Sequence, residues 1–223
     1  GMINYSIFGG SNGYESGNGD GTVNGSSYIY VGGKSIVGKS EYVNNKRELY
    51  GATAGNVFGI GNGNSSYDTI GSSDSSVIVI NDEAQINNDV YGGGNSASVG
   101  TANVTLDGIT IGSIHGGSKN AGMTTNTNVV LNSGTVNSVY GAGYNIGATN
   151  TKVAQNGATV TNIYGGSEEN NSSETTNSTV NINSATAENV YGGNAGKGTV
   201  KYATINITGA STITGKLYGG GYQ

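Results

Sequence analysis

The stretch Val136–Asn170, VNSVYGAGYNIGATNTKVAQNGATVTNIYGGSEEN, says one thing twice: an apolar residue, then Tyr140 or Tyr164, then small residues dominated by glycine. Followed outward along the chain, the phrase has aromatic markers at Phe8, Tyr50, Tyr91, His115, Tyr140, Tyr164, Tyr191 and Tyr218, with successive intervals of 42, 41, 24, 25, 24, 27 and 27 residues. Self-similarity at roughly 20 to 50 residues is the signature of a solenoid, a propeller or another array.

Alignment on the marker produces columns. Val104, Val129, Val153 and Val180 stand eleven residues before it, and Leu106, Leu131, Gln155 and Ile182 nine before. Alternating apolar positions read as a half-buried strand. Asp107, Asn132, Asn156 and Asn183 follow, each next to Gly or Ser, and read as a corner ladder. Ile111, Val136, Val160 and Ala187, then Ile114, Val139, Ile163 and Val190, form a second apolar side. The last coil keeps the pattern through Ile205, Ile207, Ile213 and Leu217 with two residues inserted. Between each marker and the next strand lies a Gly-rich connection of uneven length.

A propeller blade needs about 40 to 45 residues and four strands, more than these intervals supply. The expected fold is therefore all-β, a right-handed parallel β-helix of 24–27 residues per coil, the hand following from the bias of parallel crossovers. It forms a single domain over 1–223, less regular over 1–76 and regular over 77–223, and the first two long coils carry insertions. The first insertion, KSEYVNNKRE at Lys39–Glu48, is placed between strands, and the second, Gly51–Ser76, on the loose side. Glycine after the aromatic is expected to supply backbone conformations closed to other residues.

Composition agrees with a folded chain. The 42 glycines in 223 residues, about two and a half times average usage, accompany 15 Tyr and many Val and Ile in regular short runs, which disordered chains lack. Neither Cys nor Pro occurs, so no disulfide forms and the redox compartment is not readable. A net charge of −5 with nine scattered basic residues excludes a nucleic-acid footprint and a basic membrane-binding surface. Apolar runs such as Val77–Ile80 are far shorter than the ~20 residues of a membrane helix. The opening Gly-Met and the closing LYGGGYQ suggest a piece of a longer protein.

Four groups of residues are candidates for function. Strand alternation, with the preceding apolar residue inward, points Tyr91, Tyr140, Tyr164, Tyr191 and Tyr218 outward as a surface stripe able to stack on sugar rings. Asp82 or Asn81 aligns with Asp107, so two carboxylates would lie ~4.8 Å apart, with Glu83 and Asp89 near, a set of oxygen ligands for Ca²⁺ or an acid pair. The segment GNGDG at Gly17–Gly21 is a weaker calcium signal, since it occurs once. The only histidine, His115, replaces Tyr in the aromatic column and reads as a ladder member. A threonine column, Thr110, Thr135, Thr159 and Thr186, has no matching partner column and is explained by β-propensity.

Phrases such as TNVVLNSGTVNSVYGAG and STVNINSATAENVYGGNAGKG resemble the Gly, Asn and Thr-rich repeats of large bacterial cell-surface proteins, adhesin-like modules of the pectin-lyase-like architecture. The resemblance covers nearly the whole chain and implies an extracellular or surface-attached structural and adhesive module, without cofactor or catalytic residues, touching host or dietary glycans or a surface protein. The rival expectation is a polysaccharide lyase or glycoside hydrolase using acids near Asp82 and Asp107.

Overall fold

The computed structural model describes residues 1–10, 22–38, 55–63, 71–169 and 174–222. All regular structure among them is β, and every strand pair is parallel. The chain winds as a parallel β-solenoid of about six turns. Numbered in chain order, one face has seven strands: β3 (Val23–Val31), β6 (Ser72–Asn81), β9 (Ser98–Asp107), β11 (Thr124–Leu131), β13 (Ala148–Gln155), β15 (Thr175–Asn183) and β17 (Val200–Thr208). A second face stacks β2 (Ile7–Phe8), β5 (Val57–Phe58), β8 (Val90–Tyr91), β10 (Thr110–His115), β12 (Thr135–Tyr140), β14 (Thr159–Tyr164) and β16 (Thr186–Tyr191), with β18 (Thr212–Ile213) and β19 (Leu217–Tyr218) both on β16. In the early coils an added residue or loop splits this face, leaving a short third sheet of β1 (Met2–Ile3), β4 (Ile36–Val37) and β7 (Gln85–Ile86).

The columns become ladders. Val104, Val129, Val153, Val180 and Ile205 are register partners in turn, as are Leu106, Leu131, Gln155, Ile182 and Ile207. Before the last coil, the apolar members of these rows meet Ile111, Val136, Val160, Ala187 and the residues before the aromatics in one continuous apolar core. Alternation of β-branched and polar residues explains why: every second side chain enters the lumen and the rest leave it. Gln155, at an inward position, donates from its amide Nε2 to Ala158 O (2.6 Å) and to Thr186 O (2.7 Å) in the next coil.

Two expectations about the early coils change. Phe58, not Tyr50, continues the aromatic row, since Phe8 pairs with Phe58 and Phe58 with Tyr91. Part of the segment expected to fill the loose side, Val57–Phe58, is thus a strand of the second face. Tyr50, the charged insertion Lys39–Glu48 and the GNGDG segment lie outside the described residues.

The glycine after each aromatic also has a different cause. Gly92, Gly116, Gly141 and Gly192 do not sit at positive φ. A Cβ on any of them would collide with the carbonyl oxygen of the same glycine one coil further on. The coils are held at that spacing by the glycine N–H groups, Gly92 N donating to His115 O (2.9 Å), Gly116 N to Tyr140 O (2.9 Å) and Gly141 N to Tyr164 O (2.8 Å), while Gly141 O and Gly165 O accept from the Thr127 and Thr151 hydroxyls. The row is glycine because coils approach too closely for a side chain. Left-handed backbone is used at the other corner instead, at Gly108 (φ 106°), at Asp82 (φ 62°), whose residue type tolerates it, and, against residue preference, at Ser184 (φ 51°).

Candidate functional site

The aromatic column is one unbroken stack. Phe8, Phe58, Tyr91, His115, Tyr140, Tyr164, Tyr191 and Tyr218 lie face to face, with successive ring centroids 4.8, 5.0, 4.6, 4.7, 5.2, 4.9 and 5.6 Å apart. Their apolar predecessors belong to the main core, whereas the rings form separate clusters on the other side of the strands. The expected outward direction therefore describes where the rings leave the coil, but not what they meet. Tyr91, Tyr140, Tyr164 and Tyr191 are 1, 7, 8 and 2% exposed, and only Tyr218 is open. A surface stripe for stacking on sugars does not exist at these four residues.

The cover comes from the connections after the glycine turns. The residue four places beyond His115, Tyr140 and Tyr218 folds back over the preceding coil: Lys119 Nζ lies 5.5 Å from the Tyr91 ring centre, Tyr144 meets His115 edge-on at 6.0 Å, and Tyr222 meets Tyr191 at 5.4 Å. Ala195 packs on the tyrosine cluster. Glu168 reaches two coils back, its Oε2 2.8 Å from His115 Nε2. His115 is fully buried as a member of the stack, and its partnership with Glu168 clasps the connection to the coil. Burial, reinforced by the negative charges of Asp89 and Glu168, holds the Tyr91 hydroxyl well above its usual titration range, and burial with Glu168 does the same at Tyr140. Tyr91 donates its hydroxyl to Asp89 Oδ2 (3.3 Å).

The four carboxylates expected near one another turn apart. Asn81, not Asp82, is the register partner of Asp107. Asp82 occupies the left-handed corner beyond it, and its Oδ2 accepts from Gly33 N (3.2 Å) and Tyr30 Oη (3.5 Å) in the preceding coil. Asp107 faces the following coil, where Ser133 Oγ donates to its Oδ1. Glu83 pairs with Lys34 (3.6 Å), both exposed, and Asp89 lies beside Tyr91. Among the described residues no three His, Cys, Asp or Glu side chains converge in a group able to hold a metal ion.

The corner ladder Asp107, Asn132, Asn156 and Asn183 is in register, but exposed, with Asn156 Nδ2 donating to Asn132 Oδ1 (3.2 Å). Stronger amide ladders occur where column reading did not look. Asn120 donates to Asn95 and Asn95 to Asn62, each at 2.8 Å, along the covering connections. On the outer side of the seven-stranded face, Asn150 donates to Asn126 (2.9 Å), Asn177 to Asn150 (2.7 Å) and Asn206 to Asn181 (2.8 Å). The recurrence of Asn at the outward places of the strand was the available signal.

That outer face is a repetitive surface. One register row runs Ser26, Ser75, Thr101, Asn126, Asn150, Asn177, Tyr202; its neighbour runs Tyr28, Val77, Asn103, Asn128, Lys152, Thr179, Thr204; the third runs Tyr30, Val79, Thr105, Val130, Ala154, Asn181, Asn206. Lys152 is the single charge in these rows. Tyr28 and Tyr30 at one end and Tyr202 at the other are exposed. No described helix is long and apolar enough to cross a membrane. No protein-family model, curated protein or solved structure matches the chain.

Proposed function

We propose that this chain is a non-enzymatic structural and adhesive segment of a bacterial cell-surface protein, a stacked rod whose seven-stranded face meets neutral glycans. The observation that carries the reading is the composition of the three central rows of that face: aligned amides, hydroxyls and small apolar groups, one charge, and exposed tyrosines at their ends. Uncharged polyhydroxylated ligands match amide and hydroxyl donors and acceptors, and their C–H faces match aromatic rings. With Lys152 as the one cation in these rows, the surface gives phosphate-rich partners little to hold. Rows repeating at strand spacing, ~4.8 Å, let many weak contacts act together on an extended polymer. The resemblance of the repeats to surface-protein modules supports the cellular setting.

Retention of the whole chain on immobilised neutral polysaccharides tests the proposal. The double variant Asn128→Glu, Thr105→Glu places two carboxylates on the face without touching the core, and is expected to weaken retention by about tenfold with an unchanged melting curve. Failure of the unaltered chain to be retained on any neutral glycan removes the adhesive half of the reading. Undiminished retention of the double variant moves the site off this face.

A further inference from the structure

The aromatic column is uniform in geometry but not in chemistry. From Tyr91 to Tyr191 successive rings are 4.6 to 5.2 Å apart and within 15° of parallel, so their π faces are in contact. Followed back from Tyr191, the column has phenols at Tyr191, Tyr164 and Tyr140, an imidazole at His115 and a phenol at Tyr91. The next ring is Phe58, a plain benzene ring, 5.0 Å from Tyr91. A phenol gives up one electron far more readily than a benzene ring does. An electron vacancy placed in this stack can therefore pass among the tyrosines and across His115, and Phe58 stops it at Tyr91.

Tyr91 also has the means to hold the vacancy. Loss of an electron makes a phenol strongly acidic, and the vacancy is fixed once the proton has somewhere to go. Among the described residues, Tyr91 is the member of the stack whose hydroxyl donates to a carboxylate, Asp89 Oδ2 at 3.3 Å. Lys119 Nζ, 5.5 Å from the ring centre, opposes a positive charge on the ring and so favours release of the proton. Glu168 Oε2, 2.8 Å from His115 Nε2, sets a carboxylate against the ring that the vacancy has to cross. Tyr91 is 1% exposed, so soluble reductants do not reach it. We infer that the column conducts single electrons and stores the vacancy at Tyr91. An outer-sphere one-electron oxidant takes one electron from the stack, the electron is replaced ring by ring from Tyr91, and the Tyr91 hydroxyl proton moves to Asp89. The products are the oxidant reduced by one electron, a neutral phenoxyl radical and a protonated carboxyl group.

Flash oxidation of the whole chain tests this. The sequence has no cysteine, so Glu188→Cys, at an exposed place on β16 three residues before Tyr191, carries a single ruthenium(II) polypyridyl label. A flash with a cobalt(III) ammine, which accepts an electron irreversibly, leaves ruthenium(III) beside the Tyr191 coil. The expected result is a long-lived neutral tyrosyl radical, read by absorption and electron paramagnetic resonance, that is lost in Tyr91→Phe and shortened in lifetime by Asp89→Asn. The double variant Tyr140→Phe, Tyr164→Phe keeps the rings stacked but removes the phenols between the label and Tyr91, and is expected to lose the signal although Tyr91 is intact. Melting curves establish that the variants are folded; if the double variant is not, Tyr164→Phe alone, expected to slow the rise of the signal, replaces it. Tyr144, packed on the Tyr91 cluster with its hydroxyl facing Glu169, is the competing resting place. A radical that survives Tyr91→Phe lies there or elsewhere and overturns the inference. So does the absence of a radical in the labelled chain, a lifetime unchanged by Asp89→Asn, or a signal that rises as fast without the Tyr140 and Tyr164 hydroxyls.

Discussion

Ile182 and Ile207 are neighbours in one row, read from the same sequence pattern, yet the first is fully buried and the second 41% exposed. Gly141 and Gly219 follow equivalent tyrosines, yet a Cβ on the first would strike Gly165 O and one on the second would meet nothing. An interior coil and the last coil thus differ in what lies on them, not in what they contain. In a solenoid the energy of a residue belongs to the pair of coils, because each coil contacts only its neighbours. The same substitution should therefore have different effects in the two places, and that contrast can be measured.

The largest contrast is expected for truncation of the core row. Ile182→Ala removes a fully buried side chain and should cost about 4 kcal/mol, whereas Ile207→Ala should cost under about 1 kcal/mol, as read from urea midpoints. Similar midpoints for the two would mean that the last coil is covered in solution. Next comes the glycine row. Gly141→Ala forces apart two hydrogen-bonded coils and should cost about 3 kcal/mol, while Gly219→Ala should be neutral. Equal tolerance at both positions would show that the close approach is not rigid.

The covered rings give a smaller, pH-dependent difference. Tyr91 and Tyr140 have raised folded-state pKa values, so the unfolded chain ionises first, near pH 10, and their contribution to stability is present below that pH and lost above it. Each should cost on the order of 1 kcal/mol at one pH unit above 10. Tyr91→Phe should flatten the alkaline loss by one residue's share, and an unaltered slope would mean that the Tyr91 hydroxyl reaches solvent. The smallest effect is at the corner. Ser184→Gly relieves a left-handed serine and should stabilise by up to about 1 kcal/mol in thermal melts. No gain there would assign the corner to the Ser184–Asn183 side-chain contact rather than to backbone geometry.

Much of the fold was legible because a repeated column gives several independent readings of one position. Val104, Val129, Val153 and Val180 needed no structure to be placed together, and the two-residue shift in the last coil was found from Ile205 and Ile207. Where repetition failed, so did the reading. Leu49-Tyr50-Gly51 and Val57-Phe58-Gly59 are equally good local phrases, and only stacking on Phe8 and Tyr91 selects the second. Strand alternation correctly separated the tyrosines from the lumen. It was silent on their cover because Lys119, Tyr144, Glu168 and Ala195 share a place but no chemistry, and so form no visible column. The clasp between His115 and Glu168 spans 53 residues and joins coils that are not adjacent, which a comparison of neighbouring coils does not reveal. Of the two residues the alignment left open opposite Asp107, Asn81 is the partner, and at a corner that one-residue difference is enough to turn Asp82 toward one coil and Asp107 toward the other.

The glycine ladder has a mechanical consequence. Its bonds, like those of all three sheets, run from coil to coil, so a pull on the two ends of the chain loads the two end coils first and the interior ones only after those have gone. Each coil released adds about 25 residues of contour, on the order of 85 Å. Yielding is then stepwise, a series of similar rips rather than a single rupture, with the coil clasped by Glu168 expected to hold longer than those beside it.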